Sequence, residues 1–155
     1  MIICKGKSEL DKMREANLIV AKVLSHLETL IRPGLTTAEL DVVAEEMILD
    51  MGGQPAFKGY QGYPATLCVS INEEIVHGIP GNKVLNDGDI VSIDIGAVVD
   101  GFHGDHAITT GVGNIPSDKS DLIKVTKEAL SRGIAAATDG ARTGDIGWAV
   151  QSYSE

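Results

Sequence analysis

The dipeptide Asp100-Gly101 lies between a run rich in apolar and β-branched residues, Asp89–Ala97, and a second strand-like stretch, Phe102–Thr110. Asp-Gly in this setting is a strong signal for a two-residue hairpin turn. A turn there pairs Val99 with Phe102 and puts Asp94 opposite Ala107. Side chains alternate between the faces of a strand, so Asp105 shares a face with Asp94 as its diagonal neighbour. Diagonal neighbours lie roughly 7–8 Å apart, within reach of polar side chains. Two carboxylates pointing inward from a buried hairpin repel unless a cation lies between them. Asp is also depleted in strand interiors. A metal site is the leading reading; the competing account has both aspartates capping turns or facing solvent.

Size and charge narrow the classes. The 155 residues are 43% hydrophobic and 23% charged, which suits one globular domain of ordinary size. Apolar stretches are too short and interrupted to span a bilayer. The start, MIICKGKSELDKMREA, carries Lys5, Lys7 and Glu9 where a signal peptide needs an apolar core. The expectation is a soluble, cytoplasmic protein without a membrane partner. A net charge of −9 with no basic run argues against a nucleic-acid substrate. Cys4 and Cys68 are too few for a disulfide framework and read as free thiols.

Periodicity predicts a helix over Ser8–Ile31, capped by Ser8 with Asp11, and a second over Ala38–Met51, capped by Thr36 or Thr37. The first carries a broad apolar face that includes Leu10, Leu18, Val20, Val23, Leu24 and Leu27. Gly52-Gly53 closes the second helix. Strands are predicted at Ala65–Ile71, Glu74–Val76, Ile90–Val98 and Phe102–Thr110. At an offset of 106 residues the helical pattern recurs: Ser117 starts a helix, Asp139-Gly140 stands where Pro33-Gly34 stood, and Thr143 matches Thr37. The second helix of this copy resumes at Gly144 and runs to Glu155. If the repeat is real, the sequence holds one and a half copies of a two-copy fold. A metal held by two carboxylates alone is under-coordinated, since transition ions take four to six donors. The remaining ligands would then belong to the half-copy that is not in these residues.

The stretches YQGYPATLCVSINEEIVHGIP, LNDGDIVSIDIGAVVDGFHGD and IRPGLTTAELD resemble the type I methionine aminopeptidases of the pita-bread fold, and the resemblance covers essentially the whole chain. It implies an α/β (α+β) fold, an antiparallel sheet flanked by helices, with a pseudo-two-fold repeat whose second half is incomplete. Residues 1–116 would form the first half and 117–155 the start of the second. Asp94 and Asp105 match the family's two aspartate ligands, one chelating and one bridging a pair of divalent metals (Co, Mn, Fe or Zn). A histidine and two glutamates complete the family's ligand set from the second half, where nothing here matches them. His77 matches a histidine that hydrogen-bonds the substrate amide; apart from its neighbours it would read as a turn residue. Tyr60, Tyr63 and Cys68 match the methionine pocket, and Phe57 falls in the same wall, where it would narrow the pocket or simply pack. His103 and His106 correspond to non-ligands, and His26 to a surface or boundary position.

The resemblance further implies removal of the initiator methionine from nascent chains, with the ribosome as a partner. The isolated chain is expected to be inactive for want of three ligands, and to self-associate through the face left bare. An Xaa-Pro peptidase of the same fold and a non-catalytic pita-bread binding module are the alternatives. Tyr60–Cys68 and the HGIP motif favour the methionine enzyme over the first. Retention of both aspartates counts against the second.

Overall fold

Residues 3–155 are described by the computed structural model. Residues up to Asn114 form one compact unit and Ile115–Glu155 another. Helix α1 spans Lys7–Leu30 and buries Ala16, Ile19, Val20, Val23, Leu24 and Leu27. Spacings of three and four put these on one stripe, which packs against the sheet. Leu10 and Leu18, expected on that stripe, are exposed instead. The cap also differs from the Ser8–Asp11 expectation: the Gly6 N–H donates to Glu9 Oε2 at 2.7 Å, while Asp11 pairs with Arg14.

Helix α2, Thr37–Asp50, starts from a reciprocal capping box. Thr36 N–H donates to Glu39 Oε2 at 2.8 Å, and Glu39 N–H donates to the Thr36 hydroxyl at 3.3 Å. The helix ends as Gly52 N–H donates to Leu49 O and Gly53 N–H donates to Ile48 O.

Four antiparallel strands follow. They are β1 (Gln54–Pro55), β2 (Leu67–Ile71), β3 (Ile90–Val99) and β4 (Phe102–Gly111). Strand β3 is central: β4 pairs along its whole length on one side, and β1 and β2 share the other. The hairpin has the expected register, with Val99 opposite Phe102 and Asp94 opposite Ala107. Asp100 and Gly101 both take positive φ, 49° and 81°, as the two-residue turn that follows sheet twist requires. On β3, Val91, Ile93, Ile95 and Ala97 are fully buried against the helices. Full burial of each larger aliphatic side chain contributes about 1.5–3 kcal/mol. This core fixes the register, because a one-residue slip would bury the polar set.

The predicted strand Glu74–Val76 does not form. Glu74 instead folds back, its carboxylate accepting the Ile71 N–H at 2.8 Å, and Ile75 is 88% exposed. A short turn of helix at Tyr60–Gly62 and the two-residue β1 were not anticipated.

In the second unit, α3 spans Ser117–Ala136 and α4 Thr143–Ser154. The start of α4 repeats that of α2 at the 106-residue offset. Arg142 N–H donates to Asp145 Oδ2 at 2.8 Å, as Thr36 does to Glu39, and Gly34 and Gly140 both take positive φ. Leu122, Leu130, Ile134 and Trp148 are exposed. Among the described residues, no helix is long and apolar enough to cross a membrane.

Candidate functional site

Opposite the buried face of β3 lie Ser92, Asp94 and Gly96. Asp94 has Cys68 beside it on β2 and Ala107 on β4, while Asp105 stands across from Gly96. The aspartates therefore sit on one face, two residue pairs apart along the ladder. The Asp94 Oδ1 atom is buried and has no hydrogen-bond partner among the described residues. Such an oxygen is costly unless something pairs with it. Burial raises the Asp94 pKa above the usual carboxylate value; repulsion from Asp105 adds to this and His77 opposes it. Burial also raises the Cys68 thiol, and the neighbouring Tyr63 hydroxyl works the other way. At neutral pH this Cys68 is a protonated, weakly polar wall rather than a nucleophile.

Tyr63 ties two segments together. Its hydroxyl lies 2.9 Å from Leu67 O and 3.2 Å from Gly78 O, with the proton shared between the two carbonyls. Burial, first, and then the neighbouring Cys68 push the phenol above its ordinary range. Gly78 runs along β2: Val69 N–H donates to Gly78 O at 2.8 Å, and Gly78 N–H donates to the Ser70 hydroxyl at 3.2 Å. A Cβ on Gly78 would lie 2.1 Å from Val69 O, so only glycine fits. The residue before it, His77, has φ of 62°, a conformation that non-glycine residues rarely hold without surrounding constraint.

Constraint comes also from the other side. The Thr37 hydroxyl donates to Gly81 O at 3.0 Å and accepts from Gly81 N–H at 2.9 Å. Thr37 N–H donates to Lys83 O and Ala38 N–H to Gly81 O, so the loop supplies acceptors that the first turn of α2 lacks. Asp41, on the same helix, accepts the N–H groups of Thr66 and Leu67 at 2.9 and 2.7 Å and so sets the entry to β2. Burial raises its pKa and these two bonds oppose the rise.

These elements enclose a cleft of about 620 Å³. Phe57, Tyr60, Tyr63, Cys68, His77, Asp94 and Asp105 all line it, so the structure brings together every residue singled out from the sequence. Gln61, Gly62, Pro64 and Ile79 also line it and were not singled out. His103 shares the Asp105 face but does not reach the cleft, and His106 stands opposite Ile95. No group of three or more His, Cys, Asp or Glu among the described residues is arranged to hold a metal. What the cleft offers is two hard carboxylate donors, one with an unpartnered buried oxygen, which suits a divalent cation whose shell is completed elsewhere.

A family model for metallopeptidase family M24 matches residues 11–155. Among curated relatives, methionine aminopeptidase 1 of Bacillus subtilis is 52% identical across all of this chain. The methionine aminopeptidase of Clostridium perfringens is 48% identical, also across all of it. In each case the chain spans 62% of the relative's length. Among solved structures, the methionine aminopeptidase of Thermotoga maritima superposes with a TM-score of 0.96 at 41% identity, covering 99% of this chain and 62% of that one.

Proposed function

Since the chain belongs to metallopeptidase family M24, and since its antiparallel sheet with flanking helices is of the pita-bread kind, we propose that it contributes the aspartate side of a methionine aminopeptidase active site. The observation that carries this is the Asp94 carboxylate: half-buried, repelled by Asp105, and left with an oxygen that no protein group satisfies. That arrangement costs the fold energy and makes sense as a site awaiting positive charge.

In this reading Asp94 and Asp105 hold two divalent ions of the Co, Mn, Fe or Zn type, with the remaining donors coming from outside these 155 residues. When bound, such ions supply Lewis-acid polarisation of the carbonyl under attack. His77, at the cleft wall, donates a hydrogen bond to the substrate amide and meets charge as it develops there. Its positive φ sets the direction in which the side chain leaves the backbone. Tyr63, Cys68 and Phe57 surround the first side chain, and a thioether suits aromatic and sulfur neighbours. The acidic surroundings also favour the free α-ammonium of a peptide, consistent with action at the N-terminus. The substrates would be nascent chains carrying initiator methionine, placing the protein in the cytoplasm near ribosomes.

The test is hydrolysis by the intact gene product loaded with Co²⁺ or Mn²⁺. Release of methionine from Met-Ala peptides, with loss of metal stoichiometry in Asp94→Asn, is the expected result. Cleavage of Ala-Pro with none of Met-Ala would hand the site to the Xaa-Pro class instead, and absence of metal binding would leave a binding module.

A further inference from the structure

Thr37, Asp41 and Glu45 recur every fourth residue along α2, so their side chains lie along one side of the helix. Each is bonded to a different segment around the cleft. Thr37 exchanges two hydrogen bonds with Gly81, beyond His77. Glu45 holds Lys58 Nζ at 2.6 and 2.7 Å, one residue past Phe57. Asp41 stands between them and accepts both Thr66 N–H and Leu67 N–H through a single oxygen, Oδ1.

Magnitudes single out the middle contact. Lys58 and Glu45 are both partly exposed, and exposed ion pairs contribute little. Thr66 and Leu67 are fully buried, so without the Asp41 carboxylate their N–H groups would be left unpaired away from water. On the edge of β2 that faces away from β3, each outward N–H has its own acceptor. Leu67 donates to Asp41, Val69 to Gly78 O, and Ile71 to the Glu74 carboxylate. Leu67 O, on that edge, lies 2.9 Å from the Tyr63 hydroxyl. Leu67 is therefore joined to α2 through its N–H and to the cleft tyrosine through its carbonyl. The next residue, Cys68, lines the cleft beside Asp94.

We infer that Asp41 is a positioning residue: it fixes the backbone at Leu67, and through it the placement of Tyr63 and Cys68 against the substrate. Asp41 itself does not line the cleft. The inference rests on the methionine aminopeptidase reading and names a residue that serves it from outside the pocket. What matters is where the oxygen stands rather than its charge, because both donors are backbone amides. A neutral amide oxygen in the same place would accept both bonds, less strongly than a carboxylate does.

The experiment compares the intact gene product with Asp41→Asn, Asp41→Glu and Asp41→Ala. Asparagine keeps an acceptor at the same reach; glutamate keeps the charge but carries it one methylene further. One readout is kcat and KM on Met-Ala-Ser with Mn²⁺ present. The other, independent of turnover, is amide exchange in the metal-free protein, followed by NMR. Asp41→Glu should raise KM about tenfold, the scale of a hydrogen bond to a charged group. Its kcat should change little, because Asp94, Asp105 and His77 are untouched. Asp41→Asn should stay within about threefold of the wild-type KM, the scale of trading a charged acceptor for a neutral one. Asp41→Ala should lose at least as much as Asp41→Glu. The Leu67 amide should exchange faster in the glutamate and alanine variants while amides between β3 and β4 keep their protection. If Asp41→Ala does not fold, asparagine against glutamate decides; if none of the three folds, the role is structural and the inference falls. A wild-type KM in Asp41→Glu beside an impaired Asp41→Asn would assign the effect to charge and overturn the inference. So would faster Leu67 exchange with KM unmoved, which is the mark of a cap and nothing more. Should the wild type cleave Met-Ala-Ser while the variants break this pattern, the positioning role falls and the methionine reading stands. A wild type that does not cleave it sinks both.

Discussion

The Tyr63 hydroxyl reaches across the cleft wall to the carbonyl of Gly78, the residue that follows His77. A side chain assigned to the substrate pocket thereby also holds the backbone of the segment that carries the histidine. Removing the hydroxyl in Tyr63→Phe should cost about 1 kcal/mol, the usual net worth of one hydrogen bond. The loss should be local as well as global: the Val69 amide, which donates to Gly78 O, should exchange faster with deuterium in the variant. Unchanged protection at Val69 would mean that the tyrosine only lines the pocket.

Gly78→Ala should act on the same segment by collision. The added methyl would meet Val69 O at 2.1 Å, and relief requires the loop to leave β2. A cost of about 1–3 kcal/mol is expected, typical of forced overpacking, measurable by urea denaturation.

Asp94 should show a conflict between stability and binding. Its folded pKa is raised above 3.8, first by burial and then by Asp105. Such a group contributes stability that is fully present below its unfolded value and lost as pH rises through the folded value. Asp94→Asn removes the charge, so in metal-free protein it should raise Tm at pH 7 and give no advantage below pH 3.8. Adding Mn²⁺ to the intact gene product should reverse the order at pH 7, because only the wild type gains from ligand binding. Thermal melts at both pH values, with and without metal, check all of this; a lower Tm for metal-free Asp94→Asn at pH 7 would count against an unsatisfied carboxylate.

The 155-residue polypeptide on its own should release no measurable methionine from Met-Gly-Met, because two carboxylates are too few donors for a working ion pair. Its exposed Leu122, Leu130, Ile134 and Trp148 should favour association. Sedimentation velocity over a concentration series, run beside the peptide assay, reads both expectations.

The hairpin was legible because a two-residue Asp-Gly turn leaves one register, and the alternation then determines which residues share a face. Helix spans were legible to within one residue, since apolar spacing and the Thr36–Glu39 box are local signals. The Glu74–Val76 strand was misread because Ile75 and Val76 look like core. In the fold they are 88% and 65% exposed, and the turn is decided by the Glu74 carboxylate reaching Ile71. Strand β1 escaped notice because two residues, one of them Pro55, carry no period. Asp41 could not be found from spacing, as its acceptor role depends on backbone 25 and 26 residues away.

The loop beyond His77 and the beginning of α2 complete one another's backbone bonding through Thr37, Gly81 and Lys83. Neither can let go separately: releasing the loop strips the helix of its acceptors, and fraying the helix unmoors the histidine's anchor. Heat, denaturant or a substitution near Thr36 would thus be felt at the cleft without touching it, so that wear at a remote corner of the molecule registers as a blunted tool.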